Sequence, residues 1–79
     1  MRITVKLFGT YRELHNQQLL SLELPDGATA GDVWNRLVER IPRLQAARPG
    51  VAVNLEYVGF DKPLHDGDEL AFLPPVGGG

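Results

Sequence analysis

Apolar and polar residues alternate from the start of the chain: over residues 2–8, Ile3, Val5 and Leu7 fall on one side and Arg2, Thr4, Lys6 and Phe8 on the other. A period of two describes a strand with one buried face. After a polar stretch over residues 9–18 the alternation resumes, with Leu20, Leu22 and Leu24 set against Leu19, Ser21 and Glu23, and it stops at the turn formers Pro25-Asp26-Gly27. This is a second strand, predicted to form a hairpin with the first.

The period then lengthens. Val33, Leu37 and Ile41 recur at every fourth residue with Trp34 and Val38 beside them, while Asn35, Arg36, Glu39 and Arg40 take the other side. That spacing predicts a helix over Ala30–Arg40 whose apolar face lies on a sheet. Thr29 is placed to cap it through its hydroxyl, and Asp32 complements the positive end of the helix dipole. Pro42 disfavours helical geometry at Ile41 and ends the helix, leaving residues 43–50 as an irregular or single-turn connection.

Alternation returns with Val51, Val53 and Leu55 against Ala52, Asn54 and Glu56, which predicts a third strand. Residues 57–64 read as short and turn-rich around Asp61-Lys62-Pro63, and Asp66-Gly67 is another turn signal. Residues 69–73 form the last strand, with Leu70 and Phe72 facing away from Ala71 and Leu73. The predicted order is ββαββ: an α+β domain in two layers, a mixed sheet with one main helix on one face.

Composition narrows the class. Seventy-nine residues enclose one hydrophobic core, and 24 of them are Leu, Ile, Val or Phe, enough to fold but leaving little interior for an enclosed active site. The formal charge of −2 is the wrong sign for a nucleic-acid partner. No apolar run is long enough to span a bilayer, and residues 1–2 lead straight into the alternating pattern rather than a signal-peptide core, so a cytoplasmic protein is expected. Cysteine is absent, which removes disulfides, thiolate metal sites and any thioester or persulfide on a side chain.

Residues 1–73 thus read as a single domain, and residues 74–79 as a projecting tail. In Pro74-Pro75-Val76-Gly77-Gly78-Gly79, two prolines stop the strand and three glycines offer no side chain to anchor. Six extended residues reach roughly 20 Å, enough to thread a terminal carboxylate into a partner's site. Without a Cβ, Gly77, Gly78 and Gly79 pass a narrow channel and leave the last carbonyl carbon open to attack. The reactive group is therefore the Gly79 α-carboxylate. A free carboxylate is a poor electrophile and needs activation, most economically as an acyl-adenylate. This chain has no phosphate-binding loop for that chemistry, so a partner enzyme must supply it.

The order of elements resembles the MoaD/ThiS family of ubiquitin-like sulfur carriers, and most of all its molybdopterin synthase small subunits. The residues that carry the resemblance are Leu7-Phe8-Gly9, Arg12-Glu13-Leu14, Val53-Asn54, Leu64 with Asp66-Gly67-Asp68-Glu69, and the closing Phe72-Leu73 joined to the tail. The resemblance covers essentially the whole chain and implies a β-grasp fold. It implies that a ubiquitin-activating-like adenylating enzyme activates Gly79 with ATP, that a sulfur donor converts it to a thiocarboxylate, and that no cofactor or metal is bound by the carrier itself. The tail then enters the molybdopterin synthase large subunit, in a heterotetramer of two small and two large chains. There the sulfur passes to the pterin precursor of the molybdenum cofactor.

By the same matching, Phe8, Tyr57 and Leu73 would present apolar side chains to the partner, with Arg12 and Glu13 assisting. Residue parity supports Phe8 and Leu73. The triple-glycine ending also suits carriers for thiamine thiazole synthesis, the same chemistry would feed tRNA thiolation or cysteine synthesis, and the same activated carboxylate would serve a ubiquitin-like protein modifier.

The remaining polar residues read as structural. Asp61, Asp66, Asp68 and Glu69 lack the loop length and ligand order of a calcium site, and His15 and His65 lack a second ligand at helical spacing. Arg36, Arg40, Arg43 and Arg48 suit the negative end of the helix dipole. Trp34 is expected at the core edge, and Asn54 is expected to bond a backbone group.

Overall fold

The computed structural model describes residues 1–8, 19–46 and 48–74. The elements are β1 (Arg2–Leu7), β2 (Leu19–Glu23), α1 (Ala30–Arg40), a 3-10 turn (Pro42–Ala46), β3 (Gly50–Val53), β4 (Glu56–Val58) and β5 (Glu69–Leu73). They form one mixed sheet in the order β2-β1-β5-β3-β4. The central pair β1 and β5 is parallel, with Leu7 opposite Phe72, and the other pairings are antiparallel.

The alternation read from sequence sorts the sheet into two faces. Ile3, Val5, Leu7, Leu70, Phe72, Val51 and Val53 are buried on one side. Against them α1 lays Ala30, Val33, Trp34 and Leu37, and Leu44 of the 3-10 turn closes the core. Trp34 sits at the core edge as expected, its ring 5.0 Å from that of Phe72 and inclined at 52°.

The helix begins and ends where its sequence signals lie. Asp32 N–H donates to Thr29 Oγ1 at 3.2 Å and Thr29 N–H donates to Asp32 Oδ2 at 2.9 Å, a reciprocal capping box. The next free donors of the first turn are met from another part of the chain: Ala30 N–H donates to the Lys62 carbonyl at 3.0 Å and Gly31 N–H to that of Phe60 at 2.8 Å. A Cβ on Gly31 would stand 3.1 Å from the Phe60 oxygen, so glycine permits this close approach. Arg48 stacks over the Phe60 ring at 4.2 Å and holds the same strap.

One prediction needs correction. The third strand does not run through Leu55 with its side chain beside Val51 and Val53; it ends at Val53 and reverses through Asn54 and Leu55 into the additional short strand β4. Both turn residues have positive φ, 49° and 71°, as a two-residue primed hairpin turn requires. Leu55 is 92% exposed. The reversal escapes sequence reading because neither turn residue is glycine and Leu55 continues the apolar alternation by chance.

Candidate functional site

Among the described residues, the helix covers one face of the sheet and leaves the other open. Cross-strand register assigns the residues of that open face, because directly opposed residues share a side. One row crosses all five strands: Leu19, Lys6, Ala71, Ala52 and Tyr57. The next row towards the end of β5 pairs Leu73 with Gly50, and continuing the β1–β5 register by one residue sets Phe8 beside Leu73. Phe8 and Leu73 are half-buried, and Tyr57 is 80% exposed.

Three of the residues expected to meet a partner thus share one surface. Tyr57, which parity could not place, is placed there by its pairing with Ala52. Leu19, 56% exposed, belongs to the same face and was not singled out from sequence. Its signal was present in the Leu19-Leu20 doublet, which puts one leucine on the side opposite the core.

The face is divided in polarity. Towards the start of β1 it carries Arg2, Thr4, Ser21, Glu23 and Glu69, with Arg2 paired to the Glu23 carboxylate. Lys6 Nζ reaches diagonally to Glu69 Oε1 at 3.0 Å, which draws its charge towards that polar half. The apolar half, with Phe8, Leu73, Ala71, Ala52, Tyr57 and Leu19, lies where β5 runs into Pro74. An exposed apolar surface of this kind suits contact with a partner protein. Pro75, Val76, Gly77, Gly78 and Gly79, and likewise Arg12 and Glu13, lie outside the described residues.

In the Asp66-Gly67-Asp68-Glu69 motif, the carboxylates of Asp66 and Asp68 accept main-chain N–H groups, while that of Glu69 pairs with Lys6. Asp66 Oδ1 accepts Arg2 N–H at 2.7 Å, and Gly67, at φ +86°, turns its N–H to the Arg2 carbonyl at 2.8 Å. Asp68 Oδ2 accepts His65 N–H at 2.8 Å, and Asp68 Oδ1 accepts the Asn54 amide at 3.0 Å. The His65 backbone bond is the main reason the Asp68 carboxyl titrates below the usual range; partial burial opposes it, and the Asn54 bond and the nearby His65 and Lys62 side chains reinforce it. Asn54 Oδ1 accepts Glu69 N–H at 2.9 Å, the backbone role expected of it. His65 Nδ1 lies 3.9 Å from Asp68 Oδ2, too far for a hydrogen-bonded acid–base pair. Among the described residues, no three His, Cys, Asp or Glu side chains converge as a metal site, and no helix is long and apolar enough to cross a membrane.

Comparison with known proteins identifies the family and the fold. The profile of the ThiS family matches residues 5–79. The chain is 42% identical over 62 residues to the protein RnfH of Halorhodospira halophila, which covers 76% of this chain and 64% of that protein, a little under two thirds of its length. It is 37% identical over 81 residues to the molybdopterin synthase sulfur carrier subunit of Arabidopsis thaliana, covering all of this chain and 84% of the relative. Among solved structures, the putative molybdopterin converting factor subunit 1 of Pyrococcus furiosus superposes with a TM-score of 0.86 at 29% identity, over 96% of this chain and 99% of the other. The chain belongs to the ThiS family, and its five-stranded sheet with one helix on a single face is the ubiquitin-like β-grasp fold.

Proposed function

We propose that this chain is a sulfur carrier acting as the small subunit of a molybdopterin synthase, with residues 74–79 as the projecting tail that delivers the sulfur. A partner enzyme of the ubiquitin-activating kind joins a Gly79 carboxylate oxygen to the α-phosphorus of ATP, releasing pyrophosphate. Reduced sulfur from a donor then attacks the acyl carbon and AMP leaves, so the terminus becomes a thiocarboxylate. Its sulfur is ionised at neutral pH and is a better nucleophile than a carboxylate oxygen. In the large subunit it is transferred to the pterin precursor.

The observation that carries this reading is the apolar half of the open sheet face, placed at the root of the tail. Phe8, Tyr57 and Leu73 would form the docking surface there, while the sequence beyond Pro74 runs through Pro75 and Val76 into three glycines without side-chain bulk. The names of the Arabidopsis and Pyrococcus relatives, a sulfur carrier subunit and a converting factor subunit, support both the cargo and the need for a second chain.

The test is mass spectrometry of the chain from cells with an intact pathway. A fraction with one terminal oxygen replaced by sulfur is expected, together with copurification of a pterin-handling large subunit. Deleting Gly79 should abolish both the sulfur-bearing form and cofactor synthesis without unfolding the domain. Copurification with a thiazole synthase or a tRNA thiolase instead, or a ladder of lysine conjugates that depends on Gly79, would overturn the assignment.

A further inference from the structure

A second surface lies on the other side of the sheet. Among the described residues, strand β2 is an edge strand, paired only with β1. Met1 and Leu24 exchange both main-chain bonds at 2.8 Å. In an antiparallel ladder the bonded pairs alternate, so Leu22 and Leu20 also bond inward, and the main-chain groups of Leu19, Ser21 and Glu23 point out of the sheet. Of these, the Glu23 carbonyl accepts Arg36 Nη1 at 3.3 Å. Ser21 has no partner for its outward N–H and C=O among the described residues.

Between this edge and α1 runs a groove floored by Leu20, Leu22 and Leu37 and bordered by Arg36 and Arg40. Its charge is opposite to that of the whole chain. The arginines stand in an otherwise acidic protein, and the nearest acidic side chain on β2, Glu23, is already paired with Arg2. Arg40 makes no ion pair among the described residues.

We propose that the β2 edge and this groove bind an extended segment of a partner protein, apolar at alternate positions and flanked by acidic residues, as an added strand. Ser21 supplies the main-chain donor and acceptor. Alternate apolar side chains of the incoming strand rest on Leu20, Leu22 and Leu37, and its carboxylates meet Arg36 and Arg40. Strand addition at an exposed edge gives affinity through the backbone and specificity through the pockets beside it. The site lies away from the open sheet face, so a partner can hold the carrier here while its tail is engaged elsewhere.

The test uses the full chain and a fluorescein-labelled short peptide with a Val-Ile-Val-Ile core between aspartates, beside a control with lysines in their place. Saturable binding below millimolar is expected for the acidic peptide alone, with amide shifts at Leu19, Ser21, Glu23 and Arg40, and slowed exchange of the Ser21 amide. The double substitution Arg36→Glu with Arg40→Glu should weaken binding on the order of tenfold and reverse the preference between the peptides. Both side chains are exposed, and an unchanged circular dichroism melt confirms the fold. Equal binding of both peptides, or shifts on the open sheet face, would overturn the proposal. So would concentration-dependent dimerisation through β2, or binding that appears only when residues 9–18 are replaced by a glycine-serine linker; these would assign the groove to a second copy or to that segment. None of these readouts requires sulfur transfer, so failure here leaves the carrier function standing, and the reverse.

Discussion

The Asn54 side chain joins two separate turns: its amide donates to Asp68 Oδ1 at 3.0 Å while its carbonyl oxygen accepts Glu69 N–H at 2.9 Å. The same residue holds φ at 49° in the first position of the β3–β4 turn, a conformation that asparagine tolerates better than most. Asn54→Ala removes both bonds and raises the backbone cost. It is expected to lower stability by about 1–2 kcal/mol in urea unfolding. Asn54→Gly should lose less, because it keeps the backbone freedom; equal losses would show that only the side-chain bonds matter.

Leu55 predicts the opposite sign. At φ 71° and 92% exposure it carries the left-handed backbone penalty and gains no burial in return. Leu55→Gly completes an Asn-Gly turn, the preferred two-residue hairpin loop, and should stabilise the domain by about 0.5–1 kcal/mol. That is a rise of several degrees in Tm for a domain of this size. A fall in Tm would mean that Leu55 packs in a way that its exposure does not show.

Asp68 makes stability depend on acid. Its folded carboxyl is held below the ordinary aspartate value of ~3.9, first by the His65 backbone bond. The stabilisation it contributes is therefore complete above that value and is lost as pH falls through the lower folded one. Urea midpoints measured from neutral pH down to roughly pH 2 should drop in this window. Asp68→Asn should be less stable at neutral pH and should flatten the acid limb; an unchanged limb would move the acid sensitivity to another carboxylate.

Function and stability should separate at Tyr57. With 80% of its surface exposed, Tyr57→Ala should change stability by less than about 0.5 kcal/mol. Because Tyr57 is the most exposed aromatic residue of the proposed docking face, the same change should weaken binding to the proposed large subunit by about 2 kcal/mol or more, read by calorimetry. Loss of stability with unchanged affinity would remove Tyr57 from the interface.

Phe72 should behave in the reverse way. It is fully buried and touches Trp34 across the layer boundary. Phe72→Ala is expected to cost about 3–5 kcal/mol, most of the stability available to a small domain, and to leave the chain largely unfolded. A cooperative melt near that of the parent would show that the core collapses around the gap.

Much of this was legible in the order of residues. The helix limits, the Thr29 cap, the inward faces of β1 and β5 and the structural role of Asn54 are local or periodic, and each follows from spacing and side-chain chemistry over a few positions. The β3–β4 reversal was not legible, because its turn residues do not advertise themselves. Nor was the strap from Phe60 to Lys62 over the start of α1, which depends on two distant segments meeting.

The chain by itself determined which residues prefer the interior and where the helix begins and ends, and it supplied the Gly77-Gly78-Gly79 run on which the proposed chemistry rests. Only the tertiary structure decided which outward residues become neighbours. Phe8 directly follows β1, Leu73 ends β5 and Tyr57 lies in β4, and strand register, set by long-range backbone pairing, brings them onto one side. The same pairing leaves β2 at an edge with the arginines of α1 beside it. Periodicity can say which way a side chain points, but adjacency across a sheet depends on contacts that no short stretch of sequence contains.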